Sequence, residues 1–174
     1  MGAGSEAPVV VVVVVMGVAG SGKSTVGRAL AAELGWPFFD GDDFHPEGNL
    51  RKMRAGTPLD DGDRAPWLDR LAALLREQLQ QGTSAVLACS ALKARYRARL
   101  AVDDRVRFVF LDVDREELVR RLALRRDHFL PAALLDSQLR ELEPPGPGVL
   151  AVDGALGPPE AVASRIRGRL GLPA

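Results

Sequence analysis

The chain has 174 residues, 47% of them hydrophobic, and its 23 basic residues are balanced by 23 acidic ones. That size and apolar content suffice for one substantial core, whereas the balanced charge excludes the net basic field on which nucleic-acid or anionic-membrane binding draws. The single cysteine, Cys89, excludes an internal disulfide and fits a reducing compartment; in its apolar run it reads as a buried, inert thiol.

In chain order, residues 1–8 read as a small, polar, disordered tail. Seven consecutive valines, Val9 to Val15, then run into Met16 as a buried strand. The stretch is far short of the ~20 residues a membrane-spanning helix needs, and no basic region precedes it. The expectation is a cytoplasmic protein with neither a membrane nor a nucleic-acid partner. Gly17-Val18-Ala19-Gly20-Ser21-Gly22-Lys23-Ser24 follows and fits the phosphate-loop pattern G-x-x-x-x-G-K-[ST] at every specified position. Residues 24–34 read as the helix it requires, closed by Gly35. Gly17, Gly20 and Gly22 let backbone N–H groups turn toward phosphate oxygens, and the helix N-terminus adds partial positive charge. Lys23 reaches the β and γ phosphates and Ser24 ligates Mg²⁺, with Ser21 and Thr25 completing the nucleotide-binding set.

A short strand is predicted over 36–40, followed by Asp40-Gly41-Asp42-Asp43. A helix over 46–54, a loop over 56–63 and a longer helix over 66–80 come next, the last carrying Trp67, Leu68, Leu71, Leu74, Leu75 and Leu79 on its apolar side. The third strand, 85–89, runs into Ser90-Ala91-Leu92-Lys93 and a basic helix ending at Leu100. A fourth strand over 106–111 and a helix capped by Asp114 and running through Leu124 follow. A fifth strand over 149–152 and a last helix over 159–170 end the chain, and residues 147–153 are where adenine is expected. Strands alternating with helices imply an α/β fold, a parallel sheet covered on both faces. Ligands then bind at the carboxyl ends of its strands.

A phosphate loop alone allows ATPases, GTPase switches and small-molecule kinases, so the carboxylates must decide. The third strand ends without an aspartate. The nearest supply is Asp40 and Asp42, two residues apart, which a strand would project to the same side. One would orient the metal's water while the other meets a substrate hydroxyl. No Asn-Lys-x-Asp segment is present, which argues against guanine recognition.

Further motifs occur in order: Asp40-Gly41-Asp42-x-x-His45-Pro46, Asn49-x-x-Lys52-Met53, Pro58-Leu59-x-Asp61-x-Asp63-Arg64-x-Pro66-Trp67, Cys89-Ser90-Ala91-Leu92-Lys93 with Tyr96-Arg97, and Asp127-His128-Phe129 before Ser137-Gln138. With these the chain, from about Val13 to Val152, resembles gluconokinase. The resemblance implies transfer of the γ-phosphoryl group of ATP to the 6-hydroxyl of D-gluconate, with Mg²⁺, feeding the pentose phosphate pathway. It implies the three-layer α/β/α fold of P-loop kinases, shared with shikimate and adenylate kinases. That fold is a single domain over 9–174 with a five-stranded parallel sheet of order 2-3-1-4-5 and a small helical lid at about 121–142, and a homodimer is implied too.

Carried over by position, the resemblance puts Asp40 with Ser24 at Mg²⁺ and Asp42 on the substrate as a catalytic residue beside Lys23. His45, Lys52, Ser90, Lys93, Arg97 and His128 become gluconate-pocket residues. The chemistry agrees: an anionic polyol calls for basic groups on its carboxylate and acceptors for its hydroxyls, which Lys93, Arg97 and Asp42 supply. Arg121 and Arg125 are the lid arginines on ATP, Arg125 being the one expected to meet transition-state charge. Arg95, Arg99 and Arg126 read as solvated. The chain departs from the family pattern at Asp60, Asp127 and Arg140-Glu141, the last expected to alter packing between lid and adenine site. The rival readings are a kinase for another small hydroxy acid, such as shikimate, and a nucleotide-dependent switch.

Overall fold

The computed structural model describes residues 9–125 and 132–174. The expectations for residues 1–8 and for Arg126, Asp127, His128 and Phe129 lie outside the described residues. Strand β1 (Val12–Met16) is fully buried at the centre of a five-stranded sheet of order β2-β3-β1-β4-β5, as expected. Its neighbours are β3 (Ala85–Ala88) and β4 (Val106–Asp112), with β2 (Phe38–Asp40) and β5 (Val149–Asp153) at the edges, and every pairing is parallel.

The valine run forms a central strand because its two faces meet two separate cores. Val12, Val14 and Met16 pack with Trp67, Leu71 and Leu75 of α3 (Asp61–Gln80) and with Tyr96 and Leu100 of α4 (Ala94–Leu100). Val13 and Val15 pack with Leu30 of α1 (Lys23–Leu34) and Ile166 of α7 (Pro159–Leu170). A residue period of two leaves no solvated face, so an unbroken β-branched run suits the position. Each of those fully buried Leu and Ile side chains contributes about 1.5–3 kcal/mol by leaving water. A third cluster, Val18, Leu118, Leu122 and Leu135, joins the phosphate loop to α5 (Arg115–Leu124) and α6 (Ala132–Glu141).

The structure differs from the sequence reading in three places. Strand β1 starts at Val12 rather than Val9, because β3 offers a partner only from Ala85; Val9 is 76% exposed. Helix α3 starts at Asp61, not Pro66. The Asp60 carboxylate accepts from the Asp63 N–H at 2.7 Å and the Asp63 carboxylate accepts from the Asp60 N–H at 3.0 Å, a reciprocal cap that opens the helix earlier and leaves Pro66 inside it. A 3-10 turn, Gly41–Phe44, intervenes between β2 and α2 (Glu47–Arg54). Helix α6 lies within the expected helical lid, where the sequence reading set no helix bounds.

The carboxyl ends of β1, β2 and β3 open on one edge of the sheet and carry, respectively, the phosphate loop, the aspartate turn and the Ser90–Lys93 loop. Among the described residues no helix is long and apolar enough to cross a membrane.

Candidate active site

On the nucleotide side, Gly22 adopts φ 91°, ψ 14° in the left-handed region that favours glycine, and it opens α1 without any side-chain cap. The first N–H groups of α1 are thereby left for an anion. The Ser24 hydroxyl donates to Asp40 Oδ2 at 2.9 Å, while Asp40 Oδ1 accepts the Asp42 N–H at 3.0 Å. A hydroxyl and a carboxylate set side by side where phosphates would lie are the hard oxygen donors that Mg²⁺ takes. Among the described residues no group of three or more His, Cys, Asp or Glu side chains forms a metal cage. Mg²⁺ bound with a nucleotide requires none, since one or two protein oxygens suffice beside phosphate and water. Burial pushes the Lys23 ammonium below its ordinary range; Asp42 and Asp40 oppose this and Arg125 reinforces it, so all three lie within electrostatic reach of the lysine.

Arg121 ties this side together. Its Nε donates to Glu117 at 2.8 Å, and its two terminal nitrogens donate to the carbonyls of Ser21 at 3.3 Å and Gly154 at 2.9 Å. Arg125, exposed at the end of α5, lines with Arg121, Gly20, Gly22 and Thr25 a cavity of about 260 Å³. The opposite wall is Gly154, Gly157, Pro159 and Val162. The expected adenine segment, 147–153, thus stops just short of the residues that form the wall. β5 ends at Asp153, whose carboxylate accepts the Ala155 N–H at 2.8 Å and turns the chain over the phosphate loop.

On the other side, Asp42 sits in the 3-10 turn with its side chain 65% exposed. Strand alternation is therefore not what aligns it with Asp40; the Asp42 N–H bonded to the Asp40 carboxylate does. The turn is pressed onto β3: a Cβ added at Gly41 would lie 2.7 Å from the Ala88 carbonyl oxygen, so only glycine fits without a shift. Lys52 donates to both Asp63 oxygens at 2.8 Å, and Lys93 donates to Asp61 at 3.0 Å. Arg95 and the Tyr96 hydroxyl also reach Asp61. The Tyr96 hydroxyl and the Lys93 ammonium hold the Asp61 carboxyl down to about 2. Ser90 follows β3 directly, and next to it the buried Ala91 takes φ 43°, a conformation that strains a residue with a Cβ and is typical of functional loops.

Two expected substrate residues are placed otherwise. Arg97 is buried, and its guanidinium donates to the carbonyls of Ala91 and Leu92 at 3.0 Å, Glu143 at 3.4 Å and Pro144 at 3.2 Å. It is occupied in bracing the Ser90–Lys93 loop against the chain after α6. His45 is 8% exposed and stacks on Trp67 with ring centroids 4.3 Å apart, leaving little surface for a substrate. Arg95 and Arg99 are exposed, as read, yet paired with Asp61 and Asp69. Glu141 does not face the cavity beside Arg121 and Arg125; it pairs with Arg64 of α3 at 2.9 Å. Asp60, one of the departures from the family pattern, caps α3 through its side chain. Burial pushes the Cys89 thiol up to about 12, in keeping with an inert role. His128 lies outside the described residues.

Gln138 was without an assigned role. Its Oε1 accepts the Ala19 N–H of the phosphate loop at 2.8 Å, across 119 positions of sequence, a pairing that no local pattern signals.

A family model described as an AAA domain matches residues 12–145. A gluconokinase of Gluconobacter oxydans is 50% identical over 157 residues, covering 88% of each chain. The chain belongs to the gluconokinase family. The structure of a gluconokinase from Sinorhizobium meliloti, 39% identical, superposes with a TM-score of 0.80 over 95% of this chain and 98% of that one. A sugar kinase from Janibacter, solved without ligand, is 40% identical and gives 0.87 over 94% and 96%. Gluconokinase family membership carries use of ATP and action on a small molecule.

Proposed function

We propose that the protein phosphorylates D-gluconate: the 6-hydroxyl oxygen forms a bond to the γ-phosphorus of ATP, the bond to the ADP oxygen breaks, and the hydroxyl proton leaves toward Asp42. The observation that carries this reading is the meeting on one sheet edge of Ser24 and Asp40 with an exposed Asp42 whose N–H is bonded to the Asp40 carboxylate. Loop N–H groups and Lys23 hold the phosphates, and adenine lies toward Gly157 and Pro159. Ser24 and Asp40 would hold Mg²⁺, which when bound would supply positive charge against the phosphates. Arg125 meets the charge that develops on the transferred group, while Arg121 keeps the loop and the post-β5 turn in register. Ser90 and Lys93, with Lys52 and His128, receive the acid's hydroxyls and carboxylate, and Arg97 braces the loop that carries two of them. Because phosphoryl transfer passes through a loose transition state, Asp42 acts chiefly by positioning.

Family resemblance further supports one kinase domain over 9–174 with a lid at about 121–142, working as a cytoplasmic homodimer. The test is ADP release with MgATP and D-gluconate, shikimate, other sugar acids or no acceptor. Release with D-gluconate alone, with 6-phosphogluconate formed, is expected. Preference for another acid would keep the phosphate chemistry and overturn the pocket; release without acceptor would favour a switch.

A further inference from the structure

His45 and Asn49 lie in a chain of contacts whose proton positions can be worked out from groups that have no choice. The Asp63 carbonyl only accepts, so the Asn49 side-chain atom 2.8 Å from it must be the donating amide nitrogen. That same nitrogen lies 3.2 Å from His45 Nδ1 and has a second N–H to give. Nδ1 therefore accepts, and in a neutral ring the proton is on Nε2. Nε2 faces Asp42 Oδ1 at 3.8 Å. The ring cannot swing away, being stacked within 13° of parallel on Trp67, whose Nε1 donates to the Gly41 carbonyl at 2.7 Å in the turn that bears Asp42. One assembly thus holds both the imidazole and the turn. The charged groups facing His45 are Asp42 from the turn and Arg64 from α3; burial is the largest influence and lowers its basicity, which keeps the ring neutral.

We propose that His45 is a positioning residue: a neutral imidazole whose Nε2–H aims at Asp42 and steadies that carboxylate against the acceptor hydroxyl, with no contact of its own to the acceptor. The proposal rests on the reading that Asp42 meets the acceptor. A separation of 3.8 Å exceeds a formed hydrogen bond. Catalytic contacts that are long in the free enzyme shorten when substrate arrives, and the exposed Asp42 side chain has room to rotate.

Two measurements test it. The chain has two histidines, so long-range ¹H–¹⁵N spectra of the ¹⁵N-histidine-labelled protein, with His45→Gln for assignment, report its tautomer without any substrate. The expected result is a neutral Nε2–H ring at neutral pH; an Nδ1–H ring or a cation there overturns the proposal. This outcome is independent of which acid is phosphorylated. In kinetics, His45→Phe keeps the stack on Trp67 but removes the donor, and His45→Gln restores an N–H near the same place. Expected are a kcat about tenfold lower for His45→Phe with KM for the acceptor little changed, and recovery of most of kcat in His45→Gln. An unchanged kcat in a folded His45→Phe, or a loss confined to KM, overturns it.

Discussion

The two halves of the active site use different materials. The nucleotide half is made of backbone: glycine φ angles, the open start of α1, and carbonyls gathered by Arg121. The proposed acceptor half is made of paired side chains, Lys52 with Asp63 and Lys93 with Asp61. Backbone groups held by a helix and a sheet are preorganised and require no rearrangement when phosphate arrives. On the proposed reading, a lysine already paired to a carboxylate would exchange that partner for the substrate's own acid. The nucleotide half is thus suited to constant chemistry, and the acceptor half to selecting which acid is admitted.

The strongest way to break this comparison is at Lys23, a side-chain charge set among the backbone donors of the phosphate loop. Lys23→Met should lower kcat by about 10²–10³ while the protein keeps its fold, as steady-state rates and a thermal melt would show. A loss of tenfold or less would mean that the loop N–H groups and Arg125 stabilise the transferred phosphoryl group without Lys23. Lys93→Met sharpens the other half: KM for gluconate should rise about 10- to 100-fold with KM for ATP nearly unchanged, because a charged hydrogen bond to the acid is lost. Equal effects on both substrates would show that the halves do not act separately.

The smallest effect concerns the anchor of Arg121. Hydrogen bonds from Arg120 and Arg121 hold the Glu117 carboxyl at about 2, below its ordinary 4.5. The lowered folded value means that this contribution to stability is complete above about 4.5 and is lost as pH falls toward about 2. Glu117→Gln should therefore melt slightly below wild type at neutral pH, with the gap closing through that acidic window. KM for ATP should rise about two- to fivefold, since Arg121 keeps its carbonyl partners. A gap that widens on acidification would show that Glu117 is not held as a carboxylate by the two arginines.

The same division explains what was legible beforehand. The phosphate loop, the central valine strand, the alternation of strands with helices and the Asp114 cap were readable because each is decided within a few residues. Gly22 needs its φ whatever lies elsewhere, and a β-branched run is buried on both faces in any parallel sheet. The reciprocal Asp60 and Asp63 cap is just as local, yet the sequence reading misses it and starts the helix at Pro66. Arg97, His45 and Gln138 differ in kind. Arg97 carries the same charge as Lys93 on the same short segment, and the folding of the Ala91–Leu92 loop against the chain after α6 decides that it meets carbonyls rather than substrate. His45 reads as a polar turn residue until Trp67 covers it, and Gln138 acquires its role from a loop 119 positions away. The sequence by itself determined that this protein holds a nucleotide by its phosphates on a parallel sheet, because that capacity resides in local backbone conformation. Which polar side chains face the acceptor and which brace the walls was decided only by tertiary structure, because a long side chain takes its partner from whatever packing brings within about 3 Å.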